Sequence, residues 1–114
     1  VRRAIVADLK NFTKDQPDYG DEFFTQGTHS DWEPVPLKRH DAIFGCWEGT
    51  ISIGPTGEEE FQIIADRQQQ KVYHPPQRAC SLKATAIHGP DAAPKELSWQ
   101  LKGAPGDVYR IEFF

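Results

Sequence analysis

Leu97, Trp99 and Leu101 alternate with Ser98, Gln100 and Lys102, and a little further on Tyr109, Ile111 and Phe113 alternate with Arg110 and Glu112. A period of two belongs to the β-strand, whose successive side chains point to opposite faces, so each run has one face to bury and one to wet. Between them lies Gly103-Ala104-Pro105-Gly106, a turn in which Pro fixes φ and Gly admits positive φ. The pattern recurs earlier. Trp47, Gly49, Ile51 and Ile53 alternate with Cys46, Glu48, Thr50 and Ser52, Gly54-Pro55-Thr56-Gly57 turns the chain, and Phe61, Ile63 and Ala65 form the next apolar face. Apolar residues spaced in this way cannot form the stripe of an amphipathic helix, so the chain must be all-β.

The remaining runs fit the same plan. Phe23-Phe24 opens a strand. Pro34 to Arg39 gives an edge strand, because two prolines cannot donate to a ladder. Ile43 to Ile53 is read as one strand, Asp66-Arg67-Gln68-Gln69 as a hairpin turn, and Lys71 to His74 as the returning strand, ended by Pro75-Pro76. Residues 77–95 are the least regular, with a short strand at Ala84 to Ile87 and a surface loop at Gly89-Pro90-Asp91. Residues 21–114 thus hold about seven or eight strands, the size of an immunoglobulin-like β-sandwich. A chain of 114 residues has room for one such domain.

Residues 1–20 form an N-terminal extension, helical or extended. Ile5, Val6, Leu9 and Phe12 fall on one side of a short helix, and Ile5, Leu9 and Phe12 are candidate docking residues because a helix this short needs a surface to lie on. Removing residues 1–19 is expected to leave the sandwich folded. A first residue Val1 rather than Met is read as a processed product or part of a longer chain.

Composition excludes several classes. The net charge of -4 argues against nucleic acid as a partner, and no polybasic run favours an anionic membrane. No apolar run approaches the ~18 residues of a membrane span. Cys46 and Cys80 are read as reduced thiols, and His29, His40, His74 and His88 as ordinary surface histidines; no metal and no cofactor is expected. Glu58-Glu59-Glu60 could supply paired carboxylates but reads as a solvated strand start, and the protein is read as non-catalytic. The acidic stretch from Asp15 to Glu33 is a solvated face or a docking surface for a basic partner.

Gly27-Thr28-His29-Ser30-Asp31-Trp32, set between a strand and Glu33-Pro34-Val35-Pro36, resembles the first-hairpin motif of the starch- and glycogen-binding β-sandwich modules, the carbohydrate-binding family of the AMP-activated kinase β-subunit type. A second stretch in the right order, Glu60 to Asp66 followed by Val72-Tyr73-His74-Pro75, is similar to the same family's second hairpin. Gly89-Pro90-Asp91 with Trp99 looks like a variant associated with modules of algal proteins. The resemblance implies a glucan platform at Trp32, flanked by His29 and Asp31. It also implies a second aromatic past the Asp66 turn, where this chain has Arg67-Gln68-Gln69-Gln70-Lys71 instead.

Two functions follow. The module is an interaction or structural element, an accessory subunit or domain docked on a larger protein assembly with its glucan site decayed. Alternatively it binds an α-glucan through Trp32, with Gln68, Gln70, Lys71 or Tyr73 supplying polar contacts. An intracellular or organellar location, a plastid included, is favoured over secretion.

Overall fold

The computed structural model describes residues 2–7, 22–81 and 86–114, with the side chains of all but the first of these segments. Ten strands follow one another: β1 (Arg2–Ala7), β2 (Phe23–Gly27), β3 (Val35–Pro36), β4 (Lys38–Arg39), β5 (Trp47–Ser52), β6 (Glu58–Ala65), β7 (Val72–His74), β8 (His88–Asp91), β9 (Trp99–Lys102) and β10 (Val108–Phe113). They form two sheets. One runs β1-β10-β5-β4; the other runs β3-β2-β6-β7-β8, with β9 also on β6. Every pairing is antiparallel except that of β1 with β10. The all-β sandwich expected from the alternation is what forms.

The alternating apolar residues supply the layer between the sheets. Ile51, Tyr109, Ile111 and Phe113 come from the first sheet, and Phe23, Phe61, Ile63, Ala65, Tyr73, Trp99 and Leu101 from the second. Aromatic edges lock the layers together. The Phe23 ring lies 5.2 Å from both Trp47 and Phe113, and Tyr73 lies 5.3 Å from Phe113. Aromatic pairs at such distances add about 0.5–1.5 kcal/mol beyond the area they bury. Cys46 and Cys80 are buried thiols, the latter in this core.

β6 organises the second sheet by using both edges. Phe61 to Ala65 pair with β2 on one side, while Glu58 to Phe61 pair with β9 and Ile63-Ile64 with β7 on the other. The run from Pro34 to Arg39 is not a single edge strand. Val35-Pro36 pairs with β2 in one sheet, and Lys38-Arg39 pairs with β5 in the other. Leu37, between them, turns into the core, and its amide donates to the Phe23 carbonyl at 2.9 Å. Gly49 makes room for it, since a Cβ there would sit 2.6 Å from Leu37 Cδ2.

Some details differ from expectation. Of the helical and extended alternatives for the N-terminal segment, Arg2–Ala7 takes the extended one and forms the edge strand of a sheet. At Ile5 the open edge of β10, whose backbone groups need partners, outweighs the helical spacing. Leu9 and Phe12, and the acidic residues Asp15, Asp18 and Asp21, lie outside the described residues. The strand drawn from Ile43 starts only at Trp47; Asp41 to Cys46 form a loop. Of the strand placed at Ala84 to Ile87, Ala84 and Thr85 lie outside the described residues and Ala86-Ile87 are not in a strand; β8 forms at His88–Asp91, where a surface loop is expected.

Gly27 is where β2 comes closest to β6. Its backbone is extended (φ 178°), but a Cβ would lie 2.0 Å from the Glu60 carbonyl oxygen and 2.8 Å from Phe61 Cα. Those atoms belong to the ladder and cannot give way. Gly27→Ala is expected to cost about 1–3 kcal/mol, read as a lower urea midpoint; an unchanged midpoint would show that β2 and β6 are not held this closely.

Candidate functional site

The resembling motif folds as a compact turn. β2 ends at Gly27, Thr28–Ser30 make one 3-10 turn, and Asp31 (φ 53°) and Trp32 (φ 64°) both adopt left-handed backbone. Two such residues in succession, one of them aromatic, are costly, at roughly 1–2 kcal/mol each. Hydrogen bonds hold them there: the Trp32 amide donates to the Gly27 carbonyl at 2.8 Å, and the Ser30 hydroxyl donates to the Glu33 carbonyl at 2.8 Å. Trp32 is half-buried, and the Lys95 ammonium lies 5.3 Å from its ring centroid. Asp31 is exposed, and His29 points back toward β2 and β6.

The second hairpin does not complete a platform. Asp66 (φ 52°) and Arg67 (φ 58°) form its left-handed corner, and the Arg67 guanidinium covers Phe24 at 4.6 Å. Gln68 and Gln70 are exposed, and Lys71 Nζ sits 3.8 Å from Asp66 Oδ2. Tyr73 is wholly buried between the sheets. It was expected to offer a polar contact to ligand and cannot, because the period of β7 sends Val72 and His74 to one face and Tyr73 to the core. Gln69 matters instead. It exchanges hydrogen bonds with Gln26 (2.9 and 3.2 Å); Gln26 donates to Gln62 (3.1 Å), and Gln62 donates to the Pro94 and Leu97 carbonyls (2.8 and 2.9 Å). This amide chain, buried at Gln26 and Gln62 and exposed at Gln69, fixes the loop that carries Lys95 over Trp32.

Glu58-Glu59-Glu60 is not uniformly solvated. Glu59 is buried and accepts from the Thr28 hydroxyl (2.6 Å) and the Gly54 amide (2.9 Å). A cleft of about 310 Å³ lies here, lined by Thr28, Pro55, Thr56 and Glu58 to Glu60. His29 stands nearby with Nε2 3.4 Å from Thr25 Oγ1. Its Nδ1 is buried without a hydrogen-bond partner among the described residues. Burial holds the pKa of His29 below its ordinary 6.5, against the opposing pull of Glu59.

Two constellations were not foreseen. Phe44 is fully exposed (102%), with Ile43 beside it (39%), at the tip of the loop between β4 and β5. That loop is braced from within. His40 Nδ1 accepts from the Ala42 and Ile43 amides at 3.0 and 3.1 Å, its Nε2 lies 3.2 Å from Glu48 Oε2, and its amide donates to the Cys46 carbonyl at 2.8 Å. The second constellation joins His74 and Asp91, whose Nε2 and carboxylate oxygens are 2.9 and 3.1 Å apart, with His88 directly opposite His74 on β8. No family model, no curated protein and no solved structure matches the chain.

The His29 environment fixes the sign of one pH effect. On acidification the unfolded chain takes up its proton near 6.5, whereas folded His29 resists until lower pH. Its stability contribution is therefore intact above 6.5 and is lost as the pH falls from there through the depressed folded value. Between pH 7.5 and 5.5 the wild-type urea midpoint should drop further than that of His29→Gln; parallel drops would show that His29 is not protected from protonation.

Proposed function

We propose that the sandwich is a non-catalytic interaction module, an accessory domain or subunit of a larger protein assembly, and that Phe44 is its anchor. The observation that carries this reading is a fully exposed aromatic ring on a loop whose backbone is already tied down. Interface energy concentrates in a few large side chains that enter desolvated pockets. A loop ordered before contact avoids the entropy cost of being ordered by it. The His40 brace gives Phe44 that advantage, and neighbouring Ile43 extends the apolar tip. Tyr73 in the core leaves Trp32 without the aromatic companion that an extended sugar platform needs, which also supports a protein rather than a glycan as ligand.

A second reading remains for Trp32. Its left-handed backbone, in a turn that spends several hydrogen bonds to hold it, is the kind of local strain that gathers at binding sites. An α-glucan stacked on the exposed part of this ring would account for it.

Different residues carry the two readings, so they separate cleanly. Proteins retained by the immobilised wild-type chain should be lost by about 30-fold in Phe44→Ser, equivalent to ~2 kcal/mol for an anchor residue, while the urea midpoint stays put. An undiminished set of retained proteins would remove Phe44 from the interface. For Trp32, titration with a linear α-glucan should give a saturable fluorescence change that Trp32→Ala abolishes. A flat titration of the folded chain would end the glucan reading.

A further inference from the structure

We propose that His74, His88 and Asp91 bind a divalent transition-metal ion of the zinc type. The strand pairing supplies the first half of the case. His74 and His88 are direct partners across β7 and β8, and their ring centroids are 6.0 Å apart at 48°. Residues directly opposite on adjacent antiparallel strands project from the same face. A register shift follows between the His74↔His88 and Val72↔Asp91 pairs. It brings the Asp91 carboxylate onto His74, which a regular ladder would place elsewhere. Gly89 allows the shift: its φ is +101°, and a Cβ there would lie 2.2 Å from the Val72 carbonyl oxygen.

The hydrogen bonding of His74 supplies the second half. Its side chain is only 6% exposed, and Nδ1 lies 2.8 Å from the Pro75 carbonyl oxygen, which can only accept. Nδ1 therefore carries a proton, and the ring is fixed with Nε2 toward Asp91. Metal-binding imidazoles are oriented in this way, the far N–H given to a backbone carbonyl and the near nitrogen aimed at the ion. Nε2 faces the Asp91 carboxylate, which sets a nitrogen and an oxygen ligand side by side. On binding, the ion takes the Nε2 lone pair, any proton there leaves to solvent, and an Asp91 oxygen and a His88 nitrogen complete the protein ligands.

The His74 and Asp91 distances fit this arrangement after a small movement, whereas the His88 ring, 6.0 Å from that of His74, must swing in. Zinc holds nitrogen at about 2.0–2.1 Å and carboxylate oxygen at about 2.0–2.2 Å, so two tetrahedral ligand atoms stand ~3.4 Å apart. The separations of 2.9 and 3.1 Å must therefore open by a few tenths of an ångström. Among the described residues no group of three His, Cys, Asp or Glu side chains is already poised around one ion. The site closes on binding, through the two members free to turn: Asp91, 55% exposed at its side chain, and His88, also exposed. Two imidazoles and one carboxylate favour zinc and its borderline neighbours over calcium or magnesium, which prefer all-oxygen shells.

The test uses the full chain, labelled with ¹⁵N, titrated with Zn²⁺ at constant pH while the imidazole nitrogens are followed by NMR. One equivalent should move His74 Nε2 and a His88 ring nitrogen together, leaving His29 and His40 in place. His88→Ala and Asp91→Asn should each weaken binding by at least about tenfold, and His88→Ala, which alters an exposed side chain, should leave the urea midpoint unchanged. The proposal fails if His74 does not respond, if His88 responds alone, or if either variant binds as tightly as the parent.

Discussion

The closure of two sheets over one aromatic centre is the constraint on which the rest depends. Phe23 touches Trp47 and Phe113 across the gap, and Tyr73 closes on Phe113 from the side. Each comes from a different strand, so β2, β5, β7 and β10 are positioned by one another through their rings. β6 adds the second constraint, since its eight residues hold β2 on one edge and both β7 and β9 on the other. The turn at Trp32, the Asp66 corner and the β7–β8 pair all hang from this strand or its direct neighbours. The Phe44 loop belongs to the opposite sheet, and Leu37 ties it to the shared core.

Polar burial does the finer positioning. The Gln69, Gln26 and Gln62 amides pass hydrogen bonds from one hairpin to the carbonyls of another loop. Glu59 serves Thr28 and Gly54 in the same manner. Buried amides and carboxylates are costly unless satisfied and directional once they are. They therefore specify where surface loops sit more sharply than apolar contact can. The candidate sites stand on such supports: Trp32 on the amide chain, Phe44 on the His40 ring, and His74 on the Pro75 carbonyl.

Much of the fold was legible because strands that face a core on one side write their period into the sequence. Ile51, Ile63, Trp99, Leu101, Tyr109 and Ile111 are buried where the alternation places them. The errors share a cause, which is that pairing with distant strands outweighed local pattern. Ile5 has helical spacing with its neighbours, yet it pairs with Glu112 at the edge of β10. His88-Gly89-Pro90-Asp91 has the composition of a loop, yet β7 makes a strand of it. The sites were less legible than the fold. Phe44 reads as part of a strand because the His40 brace, the Cys46 amide bonded to the Ile43 carbonyl and the positive φ of Gly45 together bend Asp41 to Cys46 into a loop. The meeting of His74 with Asp91 depends on a register shift that no local spacing announces. Tyr73 is one of four candidate polar contacts in the glucan reading, and the phase of a three-residue strand puts it in the core.

The parallel pairing of β1 with β10 also has a mechanical consequence. Arg2 lies opposite Tyr109 and Ala7 opposite Phe113, so the two strands run the same way side by side. A tension that draws the chain out before β1 and after β10 pulls these neighbours past each other along their common axis. Every bond of the ladder then bears load at once, whereas an antiparallel pair pulled from one end would unzip bond by bond. For a domain tethered at both ends, this edge would be a shear clamp that guards the aromatic centre behind it.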